Sequence, residues 1–262
     1  MDLLLPSAIA DGLAARRFGC RVYHYHRIGS TNDRARQLAQ AGAPEGTVVV
    51  AEEQTSGRGR LGRTWLAPPR SCLLVSIVFR PDMPAPQAFR LTMLASVAAA
   101  VAVERVAGIT PRITWPNDLL VGGKKLAGIL SEASAIGKRL QFAVVGIGLN
   151  VNFEPDLYPE IAATATSLRA QTGREVSRVR LLQQLLAEME SRYETLVAGA
   201  QDSLFAEWRL RLGTLGQQVT VSEGEHRECG LAADVAADGS LILRRDDGST
   251  RIVAVGDVTL RS

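Results

Sequence analysis

The order of the apolar segments constrains this chain more than any other feature. Thr47–Glu52 and Cys72–Phe79 are short, largely apolar runs that read as strands, and Phe89–Val106 is a long alanine-rich helical stretch closed by Gly108. Further strands are expected at Arg112–Trp115, Leu126–Glu132 and Gln141–Asn150, and helices at Val179–Val197 and Leu204–Leu212. Strand, helix and then three strands in succession predict a mixed α/β sheet rather than a strict βαβ array. A shorter helix begins at Ser30-Thr31-Asn32 and stops at Gly42. Hydroxyl and amide side chains suit a helix start, and ordinary capping accounts for one of the three.

After Gly213 the texture changes to short alternating segments separated by Glu223-Gly224, Asp238-Gly239 and Asp247-Gly248. Those dipeptides are hairpin signals, and about fifty residues so spaced predict a small, partly closed SH3-like β-barrel. The expected division is therefore 1–212 and 213–262.

The chain has 262 residues, 46% of them hydrophobic and 22% charged, which excludes disordered and fibrous classes. A net charge of only +3 argues against a dedicated nucleic-acid binder. Three cysteines without a Cys-x-x-Cys pair give neither a disulfide framework nor a zinc site, so a reducing cytoplasm is expected. Pro6 and Asp11 interrupt the apolar N-terminus, against a signal peptide, and the apolar stretch Leu94–Val103 is too short for a bilayer. A protein free of the membrane is expected.

Residues 57–63, Gly57-Arg58-Gly59-Arg60-Leu61-Gly62-Arg63, place three guanidiniums and three glycines between two apolar segments. Glycine lets backbone N–H groups approach a ligand, and each arginine offers a planar fork for carboxylate or phosphate oxygens. Arginine-glycine runs also occur in nucleic-acid-binding tails, but those are long and set in polar low-complexity sequence. No Gly-Lys-Ser/Thr ending makes this a P-loop. Trp115-Pro116-Asn117-Asp118 then ends a strand in a turn, and Lys125 opens Lys125-Leu126-Ala127-Gly128-Ile129-Leu130 after Gly122-Gly123. A lysine in that setting can aim its ammonium at a ligand, and Asp118 can hold a magnesium ion that bridges phosphates. The two glycines of Val144–Asn152 suggest close packing against that strand. His24 and His26 share a strand face, yet no third metal ligand accompanies them.

Taken in order, Gly57-Arg58-Gly59-Arg60-x-Gly62-Arg63-x-Trp65, Trp115-Pro116-Asn117-Asp118, Lys125–Leu130 and Gly146-Ile147-Gly148-Leu149-Asn150-Val151-Asn152 resemble the motifs of the biotin protein ligases. Ser30-Thr31-Asn32 corresponds to that family's early Ser-Thr-Asn motif, and Gly256-Asp257-Val258 is similar to part of its C-terminal barrel. The resemblance covers nearly the whole chain. It implies a catalytic domain related to class II aminoacyl-tRNA synthetases, and two steps: biotin and Mg-ATP give biotinoyl-AMP, then a lysine of a biotin carboxyl carrier protein takes the acyl group. It implies Lys125 and Arg60 as catalytic; Ser30, Thr31, Asn32, Gln54, Gly57, Arg58, Gly59, Arg60, Lys125 and Gly128 at biotin; Arg60, Arg63, Trp65, Asn117, Asp118, Lys125 and Asn150 at ATP; and Asp118 at magnesium. A homodimer formed through a sheet edge is expected, and DNA binding is not, because Ser30 lies near the start of the chain.

Two departures stand out. Thr114 precedes Trp115 where relatives usually carry lysine, and no tryptophan lies near Ala165 to cap an adenine. A lipoyl or octanoyl ligase of the same core is the nearest rival, but its Arg-Arg-x-Ser-Gly-Gly-Gly motif is absent. An apolar acyl chain would also leave Ser30, Thr31, Asn32 and Gln54 without polar partners. A nucleic-acid module would need a basic barrel, whereas Glu223, Glu225, Glu228, Asp234, Asp238, Asp246 and Asp247 lie there.

Overall fold

The computed structural model describes residues 2–254 and 256–260. A seven-stranded sheet has the order β1 (Arg21–Tyr25), β2 (Thr47–Ala51), β3 (Cys72–Phe79), β7 (Arg139–Asn150), β6 (Lys124–Ile136), β5 (Asp118–Val121), β4 (Arg112–Thr114). Only β1 and β2 run parallel, so the sheet is mixed as expected. The short strand β5 is a departure: the Pro116 turn does not end pairing, and Gly122 and Gly123, both at positive φ, fold β5 back onto β6.

Helix α2 (Thr31–Gln40) packs Ala35 and Ala39 on Val49, Val78, Phe142 and Val144, covering one face of the sheet. Ser30 caps it, its Oγ accepting from the Asp33 N–H. The other face carries α3 (Phe89–Ala107), α5 (Arg178–Val197) and α6 (Gln201–Arg211), while α1 (Pro6–Ala10) and α4 (Leu168–Thr172) are single short turns. The helical stretch Ala85–Ala107, which contains α3, is long and apolar enough by length and composition to cross a bilayer, more than the window Leu94–Val103 suggested. Its burial in this core explains that composition: almost the whole of Leu91–Val103 is inaccessible.

Arg178 is fully buried, which its place at a helix start did not foretell. Its Nη1 pairs with Glu52 Oε2 at 2.8 Å and donates to the Cys72 carbonyl at 3.2 Å, and Asp2 accepts from it as well. A buried guanidinium is tolerable only with such a set of acceptors. His24 Nε2 lies 3.3 Å from Glu52, and among the described residues no group of three or more His, Cys, Asp or Glu could hold a metal ion.

The C-terminal part is a five-stranded antiparallel sheet, β11 (Thr250–Val253), β10 (Leu241–Arg244), β9 (His226–Val235), β8 (Gln218–Glu223), β12 (Asp257–Leu260). Trp115 fastens it to the larger sheet: its Nε1 donates to the Gly239 carbonyl at 2.8 Å and its backbone N–H to Thr214 Oγ1 at 2.9 Å.

Candidate active site

Register builds the floor of the site. Gly128 on β6 pairs with Gly148 on β7, which pairs with Leu74 on β3; one step along, Leu130, Gly146 and Ser76 form the next row. Three glycines on one face leave a hollow in an otherwise buried sheet, since no Cβ fills it. The indole of Trp65 lies in that hollow, where a Cβ on Gly148 would stand 2.5 Å from its Cε2 and one on Gly128 3.1 Å from its Cζ3.

A cleft of about 300 Å³ opens above, within the size range of small-molecule sites. Lys125, Asp118, Arg60, Arg63 and Trp65 line one end, and Ser30, Thr31, Asn32 and Gln54 the other. Lys125 Nζ pairs with Asp118 Oδ2 at 2.6 Å and stands 5.6 Å from the Trp65 ring centroid. Burial raises the Asp118 carboxyl above its ordinary range, an effect that Lys125 and Arg60 oppose. Its second oxygen, Oδ1, is buried without a partner among the described residues, as is Trp65 Nε1. Arg60 donates from Nη1 to Asn117 Oδ1 at 3.1 Å and from Nη2 to the Gly256 carbonyl at 3.2 Å. Burial lowers the proton affinity of Arg60, while Asp257 and Asp118 act against that.

At the opposite end, Gln54 Oε1 accepts from the Thr31 N–H at 2.7 Å and lies 2.9 Å from Thr31 Oγ1. The Gln54 amide nitrogen has no protein acceptor among the described residues, so the pair offers both a donor and an acceptor to a ligand. Ser30 doubles as the helix cap. Asn117 and Asn150 act partly as braces: Asn117 Nδ2 donates to the Ile129 carbonyl at 2.6 Å, and Asn150 Nδ2 to the Thr166 carbonyl at 2.9 Å. Gly57 does not line the cleft; it backs onto Gln54 and the Trp65 carbonyl. Gly59 and Arg58 do line it, although the Arg58 guanidinium is drawn to Asp33 at 2.7 Å and Glu132 at 3.3 Å.

The sequence reading gave no site role to several residues in the cleft or beneath it. Asp257 enters from the C-terminal sheet and pairs with Arg63, and its Oδ1 lies 3.8 Å from Arg60. Thr164 and Ala165 belong to the segment that closes over Lys125, with the Lys125 N–H donating to the Thr164 carbonyl at 2.7 Å. Ser76 and Glu132 stand beneath Asn32.

Comparison with known proteins agrees with this arrangement. The family described as "Biotin/lipoate A/B protein ligase family" matches residues 25–150, and "Biotin protein ligase C terminal domain" matches residues 214–261. A bifunctional ligase/repressor BirA from Bacillus subtilis is 34% identical over 250 residues, 95% of this chain and 77% of the relative. A biotin–[acetyl-CoA-carboxylase] ligase from Mycobacterium tuberculosis is 37% identical over 238 residues, 88% of this chain and 86% of the relative. The biotin protein ligase of Aquifex aeolicus, solved in complex with biotin and ATP, superimposes with a TM-score of 0.78 at 27% identity, covering 92% of this chain and 99% of that one. With both family matches falling on the two sheets that meet at the cleft, this chain belongs to the biotin protein ligase family.

Proposed function

We infer that the protein activates biotin with ATP and transfers it to the carrier lysine of a biotin-dependent carboxylase. The observation that carries this reading is a single cleft with a hydrogen-bonding end at Ser30, Thr31 and Gln54 and a cationic end at Lys125, Arg60 and Arg63. Biotin has matching ends, a ureido ring and a carboxylate, joined by an apolar tail that needs only an apolar groove beside the Gly128 strand. In the first step a biotin carboxylate oxygen attacks the α-phosphorus and pyrophosphate leaves. Two anions must meet, and preorganised cations offset their repulsion and the charge developing at phosphorus. In the second step the carrier amine attacks the acyl carbon, AMP departs with the bonding pair, and the amine loses a proton.

Within this reading Lys125 acts on the reacting carboxylate and α-phosphate, a role supported by its place beside the floor at Gly128. Arg60 and Arg63 hold the adenylate, supported by their approach to the cleft from its mouth. Trp65 and Asn150 flank the nucleotide. The Oδ1 of Asp118, without a partner among the described residues, fits a magnesium ion, since Mg²⁺ commonly takes one or two carboxylates beside phosphates and water. Such an ion would neutralise phosphate charge there.

We further propose the division 1–212 and 213–262, supported by the end of α6 at Arg211 and the start of β8 at Gln218. A homodimer through β6 is supported by the side of that strand facing away from β7: β5 pairs with it only as far as Gly128, so from Ser131 to Ile136 that side carries no strand partner among the described residues. Sedimentation with biotin and ATP present should show it; monomer alone at micromolar protein would count against it. Three free cysteines, Cys20, Cys72 and Cys229, suit a reducing cytoplasm. We propose no DNA-binding duty, and a shift of duplex DNA by the protein would overturn that.

Pyrophosphate exchange into ATP, run in parallel with biotin, lipoate and octanoate, tests the main reading. Exchange is expected with biotin. Exchange with lipoate or octanoate in its place would identify the related ligase chemistry instead.

A further inference from the structure

Asn32 spends almost all of its hydrogen-bonding capacity on the protein. Its Oδ1 accepts from Ser76 Oγ at 2.6 Å, and its Nδ2 donates to the Leu130 carbonyl at 3.2 Å and to Glu132 Oε2 at 2.8 Å. Both amide hydrogens are used, so no donor remains for a ligand. The side chain lies on Gly146, where a Cβ would overlap the amide, so the floor glycine admits it. Asn32 is thus a wedge under the first turn of α2, the turn that presents Ser30 and Thr31. Its orientation follows from its neighbours, because Glu132 and the Leu130 carbonyl accept only and therefore select the amide nitrogen.

Glu132 has a second client. Its carboxylate accepts from Arg58 Nη2 at 3.3 Å, and the same Nη2 reaches Asp33 Oδ1 at 2.7 Å. Arg58 belongs to the arginine loop, so the carboxylate that seats the wedge also moors the loop at the mouth of the cleft. Asp33 and Glu132 would repel each other without that guanidinium between them. The bond to Asn32 is part-buried and the one to Arg58 more exposed, so the former should weigh more per contact.

We propose that Glu132 is a positioning residue that couples the ureido end of the cleft to the arginine loop, holding Asn32 and Arg58 with one carboxylate. The proposal rests on the biotin-ligase reading above. Glu132 touches no substrate; it sets where Thr31 and Gln54 stand and how long the loop stays docked.

Two substitutions in the full chain separate these duties. Glu132→Ala removes both bonds, and an unmade buried hydrogen bond is worth about tenfold in KM for biotin. Glu132→Gln keeps an acceptor for Asn32 but no charge for Arg58, so KM for biotin should stay within about threefold. Both variants should let biotinoyl-AMP escape faster, and both should keep kcat for pyrophosphate exchange at saturating substrate within about threefold. Arg58→Ala should raise escape, and adding Glu132→Gln to it should raise escape no further. Unchanged KM and escape in Glu132→Ala would overturn the proposal. So would a fall of kcat in step with KM and melting temperature, the mark of a merely structural residue, or additive escape in the double variant. Absence of biotin-dependent exchange in the unmodified enzyme would overturn the reading beneath it as well, and is distinguishable because no variant is involved.

Discussion

A methyl group added at Gly148 has nowhere to go. It would stand 2.5 Å from Trp65 Cε2 and 2.8 Å from both Cζ2 and Nε1. Carbon atoms rest at about 3.5–4.0 Å, so the indole or the strand must move by roughly 1 Å. The strand is the stiffer of the two: Gly148 is paired on both sides, to Leu74 and Gly128. Trp65 is a half-buried loop residue whose ring nitrogen has no partner to lose among the described residues, so it yields. Overpacking of this kind costs roughly 1–3 kcal/mol, which for a chain of this size lowers Tm by about 2–10 °C. Moving the indole also tilts the wall beside Lys125, whose Nζ stands 5.6 Å from the ring centroid. The loss in binding should then be of the same order, a KM for ATP raised about tenfold to a hundredfold. Pyrophosphate exchange with varied ATP measures this, with thermal melts alongside. Gly148→Ala with both KM and Tm at wild-type values would refute the packing of Trp65 on the floor and the size of the hollow derived from it.

Lys125→Ala should slow adenylation by ~10²-fold or more with smaller changes in substrate KM, because the ammonium acts on charge that develops at phosphorus; wild-type exchange would sink that role. Arg60→Gly should still form the adenylate but release it, so streptavidin blots of a mixed protein sample should show labelling of unrelated proteins; labelling confined to the carrier would contradict the idea. Hydrogen bonds from Arg245 and Arg251 bring the Glu228 carboxyl from its ordinary 4.5 down to about 2. A depressed carboxyl gives stability that is present above the unfolded value and lost as pH falls through the folded one, so the C-terminal sheet should weaken from about pH 4.5 towards 2. Glu228→Gln should flatten melting curves across that window, and an unchanged slope would show that Glu228 is not the group responsible.

What could be read from the sequence follows from how local its cause was. Strand β3 matched its expected span, Cys72–Phe79, because a strand buried on both faces is apolar throughout. Helix α3 was legible for a similar reason and ended at Gly108, which adopts the left-handed conformation at φ 73°. Strand β5 was missed since Pro116, Asn117 and Asp118 signal a turn, and only pairing with Gly128, Ala127, Lys125 and Lys124 makes the next residues a strand. The motif residues Arg60, Trp65, Lys125 and Asp118 line one cleft, a grouping that came from the ordered motifs and their resemblance to the family. Ser76 and Glu132 gave no such signal. A lone serine in an apolar run and a glutamate near a strand end acquire meaning only through register, Ser76 beside Gly146 and Glu132 beside Val144. Asp257 was quoted only as part of a barrel motif, because nothing local says that a loop nearly two hundred residues earlier will fold against it.

That last contact has a consequence for how the protein comes into being. Asp257 and the Gly256 carbonyl meet Arg60 and Arg63, so one wall of the cleft is supplied from beyond every other cleft residue in the chain. A ribosome delivers residue 257 last of these, when the large sheet is already out and able to fold. Until then the two guanidiniums lack the carboxylate of Asp257, and the cleft lacks the wall beside them. The order of translation therefore postpones a closed chemical vessel until the catalytic sheet is already assembled.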